Sequence, residues 1–167
     1  MAVLENVELR WCKLLGEPRL NYNEDGKEWS TEFLLTQDHV DQLEADGFSP
    51  EQYLKKVKGS KTEIDKTEDG KYILVYRRNE LDKDGNPNKR VNIIDGDGMP
   101  WEQDKLIGNG SVANVQYNIY ELPAIRKLPK RGKLAVIKMM VTELVKYDST
   151  ALSQPVISVT LGNNFAT

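Results

Sequence analysis

Residues 112–120 interleave valine, tyrosine and isoleucine with Asn114, Gln116 and Asn118. β-branched and aromatic side chains at every second position predict a β-strand. A strand here restricts the structure that the preceding residues can form. Those residues hold a G-x-G-x-x-A run at Gly108, Gly110 and Ala113. That run matches a dinucleotide-binding fingerprint, which requires a helix after the last small residue. Because a strand follows, we interpret the glycines as a turn.

Other segments carry strand signals of the same kind. Residues 20–35 place Trp29, Thr31, Phe33 and Leu35 on one face after a turn at 23–26. Strands are also predicted over 6–15, over 71–80 and 89–95 around a hairpin loop, and over 132–147, a nearly continuous apolar run expected at the centre of a sheet. Two short helices are predicted over 36–47, with Thr36 as N-cap, and over 49–59.

About six strands with one helical insert predict a mainly β fold: a single barrel of the OB type, or else a sandwich. The barrel domain is expected to span residues 1–147. Residues 148–167 are low in charge and form an extension, which is expected to add an edge strand or to reach a neighbouring subunit.

The chain has 167 residues, one cysteine and one histidine. This count excludes an internal disulfide and a Cys/His zinc cluster, and it fits a reducing compartment. No apolar run approaches the length of a membrane helix, so a soluble cytoplasmic protein is expected. With the glycine run interpreted as a turn, no cofactor is expected.

The net charge is −3, but the charges are segregated. Residues 24–51 hold nine acidic residues and one basic residue, whereas residues 126–138 hold six basic residues and no acidic one. Residues 71–90 hold six basic and three acidic residues. Segregation of this kind can build a positive face on an acidic protein.

Aromatic residues accompany the basic segments. If Ile73 and Val75 face the core, then Tyr72 and Tyr76 present two rings on the outer face of the same strand. Tyr120 is expected to point outward. Trp11 is ambiguous, because it shares a face with two apolar neighbours but lies among basic residues. A basic groove with aromatic faces is the pattern of proteins that bind single strands without reading sequence.

The predicted DNA-binding set combines these aromatic residues with the basic ones. Residues 126–133 are expected to form a basic surface loop that follows the phosphate backbone, since Pro123 and Pro129 break regular pairing. The full set is Trp11, Lys13, Tyr72, Tyr76, Arg77, Arg78, Lys89, Arg90, Tyr120, Arg126, Lys127, Lys130, Arg131 and Lys133.

The segments 27–36, 72–102, 106–122 and 132–147, in this order, resemble the single-stranded-DNA-binding proteins of tailed bacteriophages. The glycine-serine turn before a strand and the hydrophobic-Glu-Leu motif in the closing strand carry most of the likeness. The resemblance implies an OB fold and a role in phage replication, recombination and repair in the cytoplasm of the infected host. It also implies phage polymerase, helicase/primase and a second copy of the chain as candidate partners. The acidic C-terminal tail of the best-known members has no counterpart in residues 148–167.

Two other function classes remain open at this stage. Asp95, Asp97 and Glu102 could hold a divalent metal for phosphodiester cleavage, which would make the protein a small nuclease. Aspartate beside glycine is also ordinary turn chemistry, and we favour that interpretation and expect neither a metal nor catalytic residues. The third class is a structural phage protein whose strands only pack.

Overall fold

Nine strands and one helix make up the part of the chain that the computed structural model describes, residues 2–21, 24–49, 63–67, 69–122, 131–146 and 157–160. The strands are β1 (Ala2–Lys13), β2 (Arg19–Leu20), β3 (Lys27–Leu35), β4 (Glu63–Lys66), β5 (Tyr72–Asn79), β6 (Asn92–Ile94), β7 (Val112–Leu122), β8 (Arg131–Lys146) and β9 (Ile157–Thr160). The helix, α1, is Gln37–Ala45. The mainly β fold with a helical insert is therefore confirmed.

The strands form one sheet in the order β4-β5-β3-β1-β7-β8-β6, with β2 beside β3 and β9 beside β8. The long apolar strand β8 is central as predicted, since it pairs with β7 on one side and with β6 and β9 on the other. The sheet remains open between β5 and β8, where no main-chain ladder forms.

The alternating pattern correctly predicts the buried faces of β3 and β7. Trp29, Thr31, Phe33 and Leu35 are all buried, and so are three of the inward residues of β7. Successive side chains point to opposite faces of a strand, so one buried face fixes the direction of every side chain. The core cluster formed in this way fills the inside of the curled sheet.

Helix α1 begins after Thr36 in a capping box, in which Thr36 and His39 each accept a hydrogen bond from the other's main chain. At the other end of the helix, the Tyr117 hydroxyl donates to Asp46. Burial and the neighbouring Asp46 carboxylate raise the pKa of Tyr117 to about 12. The helix end lies so close to β8 that a Cβ on Gly132 would be 2.2 Å from the Gly47 carbonyl oxygen.

Two predicted elements need separate comment. The helix expected over 49–59 lies outside the described residues beyond Ser49. The pairing expected between 71–80 and 89–95 is wrong, because β5 pairs with β3 and β4 whereas β6 pairs in parallel with β8. The turn signals in between close only a small loop, through a bridge between Leu81 and Pro87. Ile93 of β6 is buried in the core, so burial rather than the turn signals decides how this segment pairs.

The glycine run is a turn, as predicted, and β7 begins directly after it at Val112. Gly110 has a φ of +93°, a conformation that glycine adopts without steric cost. The buried Ser111 hydroxyl donates to the Gly108 carbonyl at 2.8 Å and accepts from the Val145 amide at 2.8 Å. With no helix after the glycines, the helix N-terminus that a dinucleotide site needs is missing here.

The remaining features concern the chain's extension and its single cysteine. Ile157–Thr160 occupy an edge position, antiparallel to β8. Cys12 packs partly buried against the core, and burial raises the pKa of its thiol. Within the described residues, no helix is long and apolar enough to cross a membrane.

Candidate nucleic-acid interface

Tyr72 and Tyr76, predicted as outward stacking residues, are core residues with exposed fractions of 1% and 8%. The register of β5 against β3 places both rings on the inward face, while Ile73 and Val75 point outward and are only partly buried. The Tyr76 ring packs against Phe33 with the ring centroids 6.1 Å apart. The prediction that these two tyrosines stack on bases is therefore wrong.

Tyr76 and Arg78 bridge the gap between β5 and β8, which do not pair with each other. The Tyr76 hydroxyl accepts from the Val136 amide at 3.0 Å and from the Arg78 guanidinium at 2.6 Å. Arg78 also donates to the Val136 carbonyl and, at 2.7 Å, to the Lys89 carbonyl. These side chains thereby satisfy the amide and the carbonyl of Val136, which a pairing of β5 with β8 would otherwise satisfy. Arg78 is thus primarily a structural residue, although its charge remains at the surface of the seam.

A groove of about 280 Å³ runs along this unpaired seam between β5 and β8, and we call it the seam groove. Its lining contains four charged residues, all of them basic: Arg77, Arg78, Lys89 and Lys133. Among the described residues, no aspartate or glutamate lines it. Arg77 forms an ion pair with Glu28 at 3.6 Å, whereas Lys89 and Lys133 are exposed. The charges that line the groove therefore favour an anion over a cation.

Tyr120 lies beside this groove, as an outward-facing aromatic residue of β7. It is paired in register with Lys133 of β8, so the two side chains lie on the same face of the sheet. Its side chain is 54% exposed, which confirms the predicted outward direction. An exposed ring next to a groove-lining lysine can offer a flat apolar face beside a bound anion.

Trp11 is also exposed, at 49%. It lies near the C-terminal end of β1, whereas Ala2 at the N-terminal end pairs with Tyr117 of β7. The backbone φ of Trp11 is +46°, which is a rare conformation for a bulky residue and costs about 1–3 kcal/mol. Lys13 follows two residues later, also exposed, and is in register with Ser30, which pairs in turn with Arg77. A row of side chains across three strands thus leads from Lys13 to the seam groove.

Arg90, predicted to bind DNA, holds one of the protein's own loops. Its guanidinium donates to the carbonyls of Leu14 and Gly16 at 3.0 and 2.9 Å and to the Gln103 side chain at 2.8 Å. It also stacks over the Trp29 ring at 4.8 Å. These hydrogen bonds, all made through one terminal nitrogen of the guanidinium, position the loop after β1.

The basic segment 126–133 is only partly described. Arg126, Lys127 and Lys130 lie outside the described residues, and only the main chain of Arg131 is described. Residues 131–133 belong to β8 and pair with the end of β7, so the prediction that they lie in a loop is wrong. The outward alternation of β8 accounts for the exposure of Lys133.

Of the three carboxylates considered for a metal site, Asp95 organises a turn through its side chain. Asp95 accepts from the amides of Asp97 and Met99 at 2.9 and 3.0 Å. Asp82 caps its own loop in the same way, by accepting from Asp84 and Asn86. In the described part of the chain, no group of three or more acidic, histidine or cysteine side chains could hold a metal ion.

Sequence reasoning missed the polar neutral residues of the interface. Asn79 and Asn88 line the seam groove, and the Asn88 side chain donates to the Asn79 carbonyl at 3.0 Å. Ser30 lies between Lys13 and Arg77. Asparagine and serine are common in loops and at strand ends, so the sequence contains no signal that separates these three from others.

No family model matches this sequence, and no curated protein matches it either. Solved structures do match in fold. The single-stranded DNA-binding protein from bacteriophage Enc34, solved in complex with ssDNA, has a TM-score of 0.51 and 14% identity, covering 88% of this chain and 86% of that one. The single-stranded DNA binding protein gp2.5 encoded by bacteriophage T7 has a TM-score of 0.53 and 16% identity, covering 92% and 96%. The chain therefore shares the fold of these phage proteins.

Proposed function

We propose that this chain binds single-stranded DNA without regard to sequence and without cleaving it, and that it acts in phage DNA replication and recombination. The observation that carries the proposal is the seam groove, whose charged lining residues are all basic in a protein of net charge −3. Phosphates are the anions that a strand of DNA presents in series, and neutralising them releases counterions. The likeness in fold to two phage single-stranded-DNA-binding proteins supports the same function.

The proposed path of the strand runs from β1 across the outer face to β7. Lys13, Arg77, Lys89 and Lys133 contact phosphates along the way, with Arg77 exchanging Glu28 for a phosphate. Arg126, Lys127, Lys130 and Arg131 extend the basic surface beside it. Contacts to phosphate carry no sequence information, which agrees with binding that tolerates any sequence.

Trp11 and Tyr120 serve as stacking platforms near the two ends of this path. Stacking on an aromatic ring requires an open base face, and in a duplex both faces are covered by neighbouring bases. An unpaired strand is therefore preferred over duplex DNA. Each stacked base contributes roughly 1–3 kcal/mol and every base can stack, so this term is also tolerant of sequence.

The proposal includes the absence of DNA cleavage. Asp95 is engaged by two main-chain amides, an arrangement suited to a rigid turn rather than to a metal. Incubating a labelled single strand with Mg²⁺ or Mn²⁺ tests this point, and the strand should stay intact. Cleavage that disappears in Asp97→Ala would establish the nuclease instead.

Protein partners and location follow from the proposed role alone. Phage polymerase, helicase/primase and a second copy of this chain are the candidate partners, and the cytoplasm of the infected bacterium is the place of action. Pull-down of the chain from infected cells, with and without nuclease treatment, separates direct protein partners from those held through DNA.

A titration with oligo-dT tests the proposed function itself. Trp11 is exposed whereas Trp29 and Trp101 are buried, so stacking on Trp11 should quench a distinct part of the tryptophan fluorescence. We expect saturable quenching by the single strand, with a duplex of the same length competing poorly. Equal affinity for duplex and single strand would contradict the proposal.

A further inference from the structure

The turn at residues 108–111 is anchored to strands on both of its sides. The Gly108 amide donates to the Val145 carbonyl of β8 at 2.7 Å, and the Gly110 amide donates to the Leu9 carbonyl of β1 at 2.9 Å. Asn109 stands between these two anchors. Its side-chain oxygen accepts from the Trp11 amide at 2.8 Å. The turn thus holds Asn109 in a fixed place beneath the main chain of Trp11.

A regular strand would bury Trp11. Val7 and Leu9 are both fully buried, and a residue two positions further along would share their face. Instead, the register of β1 against β3 shifts between Arg10 and Lys13, and Trp11 takes up the left-handed conformation. The bulge turns the indole outward. A large apolar ring held in water by an unfavourable backbone indicates a use at the surface.

We propose that Asn109 is a positioning residue for nucleic-acid stacking: its side-chain oxygen fixes the left-handed backbone of Trp11, so that the indole projects from the barrel as a platform for a base. This inference rests on the proposed binding of single-stranded DNA. Without the Asn109 acceptor, the amide of Trp11 loses its partner and the left-handed conformation loses its support. The ring then samples other orientations, among them the inward one that the alternation of β1 favours.

The chain contains a matched control for this role. Asn6, also in β1, has a φ of +57°, and its amide donates to the side-chain oxygen of Asn114 at 3.0 Å. The register of β1 against β7 shifts close by, between Leu4 and Val7. The two bulges therefore use the same kind of asparagine tether, but only the one at residue 11 presents an aromatic ring. Asn114→Ala removes the hydrogen bond to the Asn6 amide and leaves Trp11 and Asn109 unchanged.

The test uses the full chain and the variants Asn109→Ala, Asn114→Ala, Trp11→Ala and Trp11→Ala/Asn109→Ala. Acrylamide quenching of tryptophan fluorescence in the free protein reports the exposure of Trp11, because the other two tryptophans are buried. Anisotropy of labelled oligo-dT reports affinity, and thermal denaturation reports stability. The first measurement needs no DNA, so it tests the positioning even if the proposed function fails.

We expect Asn109→Ala to change the quenching and to weaken binding about tenfold, close to the effect of Trp11→Ala. Asn114→Ala should lose stability but keep wild-type quenching and affinity. In the Trp11→Ala background, Asn109→Ala should cost no further affinity, because it acts only through the ring. Should Asn109→Ala not fold, Asn109→Asp keeps the acceptor and should retain wild-type quenching.

Three results would overturn the inference. Wild-type quenching and affinity in Asn109→Ala would show that the tether is not needed. Losses that add in the double variant would show that Asn109 contacts DNA by itself. Wild-type affinity in Trp11→Ala would show that the ring is no platform. Absence of any binding by the wild-type chain would instead overturn the proposed function.

Discussion

Two neighbouring grooves share Asn79 at the end of β5 and differ in charge. The seam groove contains only basic charged residues, as described above. The second groove lies between the β2–β3 turn and the loop after β5, and we call it the loop groove. Its charged lining residues are four acidic ones and two lysines, Glu24, Asp25, Glu80, Asp82, Lys27 and Lys83. Its volume, about 640 Å³, is more than twice that of the seam groove.

The difference shows why size and net charge are poor guides to function in this molecule. From their charges, we expect the larger groove to repel a polyanion and the smaller one to attract it. Charges that are close together along the chain also separate in space, since Asn79 is followed by acidic residues that enter the loop groove and preceded by arginines that line the seam. Three matched pairs of variants, each with one member in or next to each groove, and a fourth variant in the loop groove alone test this contrast.

The largest effect is expected from Tyr76→Ala at the floor of the seam groove. Removing a buried aromatic side chain costs about 3–5 kcal/mol of folding free energy. Thermal or urea denaturation should show this loss, while Leu81→Ala in the loop groove, where the side chain is 47% exposed, should leave stability nearly unchanged. A Tyr76→Ala protein that melts normally but loses DNA binding would place the ring on the outside.

The second effect concerns affinity. Replacing Lys89 and Lys133 together by alanine removes the two proposed contacts to phosphate, and we expect a loss of about 2–3 kcal/mol in binding oligo-dT at low salt. Lys27→Ala/Lys83→Ala removes the same charge from the loop groove and should bind nearly as the wild type does. Equal losses in the two double variants would mean that overall charge, and not the seam groove, attracts the strand.

A single ring should have a somewhat smaller effect. Tyr120→Ala should weaken binding by roughly 1–3 kcal/mol, the contribution of one stacked base, without a change in melting temperature. The counterpart is Leu20→Ala, which changes an apolar residue of the loop groove that is also more than half exposed and should have no effect on affinity. Tyr120→Phe should bind like the wild type, because stacking uses the ring face. Loss of binding in Tyr120→Phe would point to the hydroxyl instead.

The smallest effect is expected when the acidic residues are neutralised. Glu24→Gln/Glu80→Gln changes exposed or half-buried side chains of the loop groove and should alter stability by less than about 0.5 kcal/mol. Affinity for oligo-dT should rise at most slightly. A large rise would show that the field of the loop groove reaches the seam, which is possible only within about one Debye length, roughly 10 Å at 0.1 M salt.

The sequence predicted the parts of the fold in which one face of a strand is apolar and the other polar. Strands β3 and β7 are of this kind: the four inward residues of β3 are buried, and so are three of those of β7, with Ile119 partly buried. In β5 both faces carry strand-forming residues, with Tyr72 and Tyr76 on one and Ile73 and Val75 on the other. Composition then does not decide which face is inside. The register against β3 decides it, and that pairing is not local in sequence.

The site was predictable as a charge pattern but not as a set of contacts. The sequence shows that Arg78 and Arg90 are cationic, but not that main-chain carbonyls occupy both guanidinium groups. The alternation of β1 in the sequence also places Trp11 on the same face as Leu9, because no residue in this segment signals a bulge. Lys89, Lys133 and Tyr120 are exposed as expected, although Lys133 lies in a strand and not in a loop.

The salt dependence of binding tests the seam groove most directly. For single strands, the logarithm of the affinity falls with the logarithm of the salt concentration by about 0.7 for each phosphate neutralised. Fluorescence titrations with oligo-dT at several salt concentrations should give the Lys89→Ala/Lys133→Ala protein a slope shallower than that of the wild type by about 1.4. The Lys27→Ala/Lys83→Ala protein should keep the wild-type slope. A wild-type slope in the seam-groove variant would show that the strand does not bind there.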